Sequence, residues 1–187
     1  FHLNQRVEEV KRDNESWIVK TNSGTTFLTP NVIIAGGVGS FEPRKFPVKE
    51  CEDYENKSVF YSVKDKKIFE GKTVAIFGGG DSALDWAVEL SKNSKVNLIH
   101  RRDEFRGEKI LQDRVFKKVE EGKIKLILNS TLKEVLGEDA VTGISILNND
   151  GSESNLAVEG VFIAIGHTPN TSIFQGKLDM KDGYILT

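Results

Sequence analysis

The chain has 187 residues, 38% hydrophobic and 29% charged, a balance ordinary for a globular protein and sufficient for one large or two small domains. Its net charge of −2 argues against nucleic acid or a membrane surface as an obligate partner. The longest apolar runs, residues 32–35 and 161–165, are far too short to span a bilayer, and the cytoplasm is the expected compartment.

In chain order, residues 6–37 open with V-E-E-V, turn at Asn22 and Gly24, return in a second strand around Thr26, and end in N-V-I-I-A-G-G. Residues 133–166 repeat that order: K-E-V-L, a strand at 141–147, a turn at Asn148 to Gly151, a strand at 156–158, then G-V-F-I-A-I-G. Each reads as the closing half of a dinucleotide-binding domain, a β-meander followed by a return to a parallel sheet. Only the second copy is preceded by an opening half, so the chain is expected to begin inside a first nucleotide-binding domain. Residues 41–71, with Pro43, Pro47 and a dense mixture of charges, read as a linker into the complete domain; His167, Thr168 and Pro169 read as the linker out.

The opening half is V-A-I-F-G-G-G-D-S-A. Thr73–Phe77 is an apolar run with little alternation, as in a parallel strand covered on both faces. Gly78, Gly79 and Gly80 make the turn. Glycine at Gly78 and Gly80 lets backbone approach a pyrophosphate closely, and Ala83 fills the third fingerprint position, where a small side chain lets helix and strand pack together. Asp81–Leu90 then reads as a helix with Leu84, Ala87, Val88 and Ser91 on one face. Its first N–H groups, at Asp81 and Ser82, face the phosphate position with the positive end of the helix dipole. A second strand at residues 96–99 completes a βαβ unit of the length a dinucleotide site requires.

In an NAD site that second strand ends in a carboxylate that takes the ribose 2′-hydroxyl. Here it ends in His100, Arg101 and Arg102, with Arg106 following, so positive charge stands where one negative charge would be. A 2′-phosphate suits this place. Two charge-assisted hydrogen bonds at about 1.5–3 kcal/mol each would favour NADP over NAD by at least about a hundredfold.

Together V-A-I-F-G-G-G-D-S-A, H-R-R-D-E-F-R-G-E-K-I-L and A-I-G-H-T-P-N-T, in this order and spacing, resemble the NADPH domain of the low-molecular-weight thioredoxin reductase family. The resemblance implies an α/β fold: a Rossmann-like NADPH domain with a β-meander at residues 59–168, inserted into a similar FAD domain. Residues 1–58 and 169–187 would be pieces of that FAD domain. It implies NADP(H) and FAD as cofactors and a homodimer for the intact protein. It assigns the 2′-phosphate to Arg101, Arg102 and Arg106, the pyrophosphate loop to Gly78, Gly80, Asp81 and Ser82, and the strand end near the nicotinamide to Ile165 and Gly166. His100 and His167 lie within these motifs, as contacts at most. Domain rotation about residues 57–62 and 167–170 would present nicotinamide to flavin.

One departure bears on the chemistry. The dithiol of thioredoxin reductases, C-x-x-C shortly before the glycines, falls here on Tyr61 and Lys64, and Cys51 is the chain's only cysteine. F-E-P-R-K, Tyr61 and G-G-G-D-S-A-L-D-W-A resemble a branch without the dithiol, the ferredoxin (flavodoxin) NADP reductases of thioredoxin-reductase type. That implies ferredoxin or flavodoxin as electron partner and no catalytic side chain, the flavin carrying the hard chemistry. The alternatives are a thioredoxin reductase and a non-catalytic NADP-binding sensor module.

Overall fold

The computed structural model describes residues 1–36, 42–48, 50–63 and 65–186, with the side chain of Glu42 excepted. Its elements, in chain order, are β1 (Val7–Asp13), β2 (Ser16–Thr21), β3 (Thr26–Thr29), β4 (Glu42–Pro43), α1 (Glu50–Asp53), β5 (Val59–Phe60), β6 (Thr73–Phe77), α2 (Asp81–Leu90), β7 (Lys95–Ile99) and α3 (Lys109–Glu120). Then follow β8 (Ile124–Ile127), β9 (Ser130–Gly137), β10 (Val141–Asn148), β11 (Glu153–Ala157), β12 (Gly160–Ile163), β13 (His167–Thr168), β14 (Met180–Lys181) and β15 (Tyr184–Ile185). They fall into two units: Phe1–Glu42 with His167–Thr187, and Pro43–Gly166.

The second unit has three layers. Its middle is a parallel sheet in the order β5-β12-β6-β7-β8. Because successive side chains on a strand point to opposite faces, the apolar runs feed two cores at once. Val74, Ile76, Val96, Leu98 and Phe162 pack against Ala83, Leu84 and Ala87 of α2 and Val115 of α3. Ala75, Phe77, Ile99, Val161 and Ile163 pack on the other face against Leu132, Val135, Ile144 and Ile146 of the antiparallel meander β9-β10-β11. The fingerprint strand and helix thus occupy the residues expected of them.

This unit begins earlier than the expected boundary at residue 59, and the segment read as a linker is part of its core. Cys51, Tyr54 and Val59 are buried against the meander face. The Tyr54 hydroxyl donates to the Gly137 carbonyl at 2.8 Å, and the Val161 N–H donates to the Ser58 carbonyl at 2.7 Å. Charged residues dominate the composition of residues 41–71, which hid these few anchors. The helix α3 was not anticipated either. It is largely polar, with Val115 its one fully buried residue and Leu111 and Val119 packed on the core at helical spacing.

The first unit holds the antiparallel sheet β1-β2-β3 and the β14-β15 hairpin. Asn14 takes a left-handed conformation, φ +53°, and turns the chain between Asp13 and Ser16, so β1, β2 and β3 form a three-stranded meander. Residues 31–36 form no strand, contrary to the expectation for N-V-I-I-A-G, and Ile33 is 91% exposed. No parallel strand flanks them among the described residues, so their backbone has no ladder to join and their side chains have no second layer. Val32 and Ile34, with Val10, Trp17, Phe174, Lys177 and Leu178, line an apolar cavity of about 80 Å³ within this unit.

Candidate functional site

The parallel strands of the second unit all point their carboxyl ends to one edge, and the candidate residues gather there. From β6 the chain crosses through α2 to β7 on one side, while β12 returns on the other. The edge between β6 and β12 is therefore the place where connections diverge and an open α/β sheet leaves a crevice.

Gly78 leaves β6 with φ +150°, and a Cβ there would stand 2.4 Å from the Ala164 carbonyl oxygen and 2.6 Å from the Ala83 Cβ. Only glycine fits this turn, and Ala83 is small for the same reason. Gly79 is excluded from carrying a side chain by the His100 ring, 2.3 Å from its would-be Cβ. Gly80 differs: a Cβ there would meet nothing within 4 Å. Its bareness serves no contact with a described residue and leaves room for a ligand's close approach. Gly80 is also the N-cap of α2 and offers no side-chain hydrogen bond, so the helix's first N–H groups, from Asp81 and Ser82, are uncapped beside that open space.

The loop after β7 lies against this turn. Arg101, Arg102 and Arg106 are exposed, and none of the three forms an ion pair with a described residue. His100 packs inside the loop. Its ring is buried against Gly79, its Nε2–H donates to the Glu104 carbonyl at 3.1 Å, and Phe105 lies 5.5 Å away, ring to ring. Burial holds its pKa below the ordinary histidine value; the Glu104 carbonyl opposes this, and the charges of Arg101, Arg102 and Arg106 press it further down.

Two features of the loop escape sequence reasoning. Gly107 packs so closely that a Cβ would come within 2.6 Å of Leu84 Cδ1. The Asp81 carboxylate, placed by the fingerprint beside the phosphate, accepts the Glu108 N–H at 2.6 Å. The glycine directly before E-K-I-L was the available signal for the first; nothing in the sequence marks the second. On the far side of the crevice Ile165 is half-buried on the core, and Gly166 follows with φ +101° and its carbonyl accepting the Arg44 N–H at 3.0 Å. Ile165 and Gly166 therefore share the sheet edge with the glycine turn. His167 lies beyond this unit.

At the positions of the family's dithiol, Tyr61 is buried in the meander-side core, while Lys64 lies outside the described residues. Burial pushes the Tyr61 hydroxyl up to about 12 and the Cys51 thiol up to about 11, so neither ionises near neutral pH. No group of three or more His, Cys, Asp or Glu able to hold a metal ion occurs among the described residues.

A family model for pyridine nucleotide-disulphide oxidoreductases matches residues 1–187. The chain belongs to that family. Among individual relatives it is 60% identical to the ferredoxin–NADP reductase of Pelagibacter ubique over 83% of this chain and 46% of that protein. It is 46% identical to a Pseudomonas fluorescens protein named glucosaminate ammonia-lyase, over 89% of this chain and 52% of that one. The two relatives thus carry different activity names. The thioredoxin reductase of Lactococcus lactis superimposes with a TM-score of 0.84 at 28% identity, covering 98% of this chain and 60% of that one. The chain spans about half the length of the curated relatives it matches. Its Rossmann-like α/β fold, with the meander inserted before the last parallel strand, is the family's own.

Proposed function

We propose that the protein is an NADPH-dependent FAD flavoprotein reductase of the ferredoxin (flavodoxin) NADP reductase type, with NADPH held by the Pro43–Gly166 unit. The observation that carries this is the juxtaposition of a glycine turn with room at Gly80 and three guanidiniums at the end of β7 where an NAD site needs a carboxylate. Gly78 and Gly80 with the N–H groups of Asp81, Ser82 and Ala83 would hold the pyrophosphate. Arg101, Arg102 and Arg106 would hold the 2′-phosphate. Ile165 and Gly166 would border the nicotinamide half.

NADPH supplies a hydride, and FAD in the whole protein would accept it and release electrons singly to an iron–sulfur or flavin carrier. The protein's own task is then binding and orientation. His100 stays neutral under burial and packs the glycine turn, and the arginines, which form no ion pair with a described residue, would meet the cofactor's added charge. Ferredoxin or flavodoxin as the acceptor, a homodimer, and a cytoplasmic location with no membrane contact belong to this same reading. No helix among the described residues is long and apolar enough to cross a membrane.

Replacing Arg101 and Arg102 together by alanine should cut the NADPH-over-NADH preference of the full-length protein by about a hundredfold or more. An unchanged ratio would overturn the NADP assignment. A second reading, thioredoxin reductase, is favoured by the Lactococcus lactis superposition. Against it stand Tyr61 and Lys64 at the dithiol positions, with Cys51 the only cysteine of the chain. NADPH-driven reduction of ferredoxin compared with reduction of a thioredoxin disulfide separates the two. A protein purified without flavin and inert toward both would instead be a non-catalytic NADP-binding module.

A further inference from the structure

We propose that the Asp81 side chain is a positioning group for recognition of the 2′-phosphate: while the Asp81 N–H faces the pyrophosphate, the carboxylate touches no cofactor and ties the arginine loop to the glycine turn. This rests on the NADP reading above. Three consecutive backbone N–H groups, those of Arg106, Gly107 and Glu108, are donated across from the loop. The first two go to the Gly79 carbonyl at 2.7 and 3.0 Å, and the third to Asp81 Oδ1 at 2.6 Å. Among the described residues Asp81 is the one side chain that accepts a hydrogen bond in that seam. The seam begins at Arg106 itself, so it fixes the backbone from which one of the three phosphate-binding guanidiniums springs.

A direct cofactor role for the Asp81 side chain is physically poor. A carboxylate at the first turn of α2 would face a diphosphate, and two negative charges at such range repel. The bond to Glu108 explains why an acidic residue is nevertheless placed there. The other end of the loop is held independently of Asp81. His100 is fixed by its N–H to the Ile127 carbonyl at 2.9 Å and by its ring against Gly79. Loss of the Asp81 tie should therefore loosen Arg106 and leave the glycine turn, whose shape is set by Gly78 against Ala164, in place.

Two ligands that differ only in the 2′-phosphate, adenosine 2′,5′-bisphosphate and 5′-AMP, test this by calorimetry on the full-length protein. Asp81→Ala should weaken the bisphosphate about tenfold, the scale of one hydrogen bond to a charged acceptor, and 5′-AMP by less than about twofold. Asp81→Asn keeps a neutral acceptor oxygen and removes the charge, so it should bind the bisphosphate more tightly than Asp81→Ala does and leave 5′-AMP within about twofold. Glu108→Pro attacks the seam from the other side: residue 108 has φ −58°, within proline's range, and proline removes the donated N–H together with the Glu108 side chain and sets its Cδ against the Asp81 carboxylate. It should reproduce the selective loss of Asp81→Ala, and the double variant should be no weaker than either alone.

A merely structural role would weaken both ligands together, and that result would overturn the proposal, as would an intact preference for the bisphosphate in Asp81→Ala. A tenfold loss of 5′-AMP binding in Asp81→Asn would make the carboxylate a direct contact and also overturn it. Equal affinity of the unaltered protein for the two ligands would overturn the NADP reading first, which keeps the two failures apart.

Discussion

Two runs of similar sequence, N-V-I-I-A at residues 31–35 and G-V-F-I-A at residues 160–164, end in different states. The second is β12, hydrogen-bonded on both sides by β5 and β6 and buried between helices and meander. The first has no strand conformation, and Ile33 is 91% exposed where the corresponding Phe162 is 3% exposed. The difference lies in the neighbours. A parallel strand needs a ladder on each side and a layer on each face, and residues 31–35 find neither among the described residues.

The comparison can be broken most severely by placing a charge in each run. Phe162→Asp buries an unpaired carboxylate under Trp86, whose ring meets Phe162 edge-on at 5.5 Å, and should cost more than about 4 kcal/mol, enough to unfold the unit. Ile33→Asp in the same chain should shift stability by less than about 0.5 kcal/mol, as urea titration would show. Similar costs at both positions would mean that the two runs are packed alike.

A milder exchange swaps the first residues of the runs. Gly160 lies under Phe69, whose ring would be 2.8 Å from a Cβ, so Gly160→Asn should destabilise by about 1–3 kcal/mol through overpacking. Asn31, exposed, should tolerate glycine with a change under about 1 kcal/mol, read as a shift in melting temperature.

Acid separates the units more gently. The folded pKa of His100 lies below its unfolded value, so neutral His100 contributes stability that is full above about pH 6.5 and is lost as pH falls through the folded pKa. Protonation would set a charged ring against Gly79 beside Arg101, Arg102 and Arg106. Trp86 lies in the second unit and Trp17 in the first, so tryptophan fluorescence of single-Trp variants should show acid-linked loss at Trp86, and His100→Gln should flatten it. An equal response at Trp17 would assign the titration elsewhere. Smallest of all, Arg12 stands 5.0 Å over the Trp17 ring, and Arg12→Ala should cost the first unit about 0.5–1 kcal/mol in the same urea titration, with no change at Trp86.

The fingerprint segment was the most legible part of the molecule. Thr73–Phe77 and Asp81–Leu90 fall where the apolar pattern and the glycines put them, since a strand covered on both faces and an amphipathic helix each leave a periodic trace. The role of residues 43–58 was hidden because their burial depends on a few anchors, Cys51, Tyr54 and Ser58, set among charges. His100 was legible as a motif residue and a contact at most, but its packing partner was not, because the bare backbone of Gly79 carries no side chain to announce a contact.

The sequence alone determined the type of each local piece, a glycine turn between strand and helix, the arginines past the second strand, and the absence of a C-x-x-C pair from the chain, because these are properties of neighbours along the backbone. Tertiary structure decided which apolar run became a strand, which unit took residues 43–58, and that Asp81 faces Glu108. Each of these depends on what a residue meets across space, and hydrogen-bond ladders and buried contacts are formed between segments that the order of residues does not bring together.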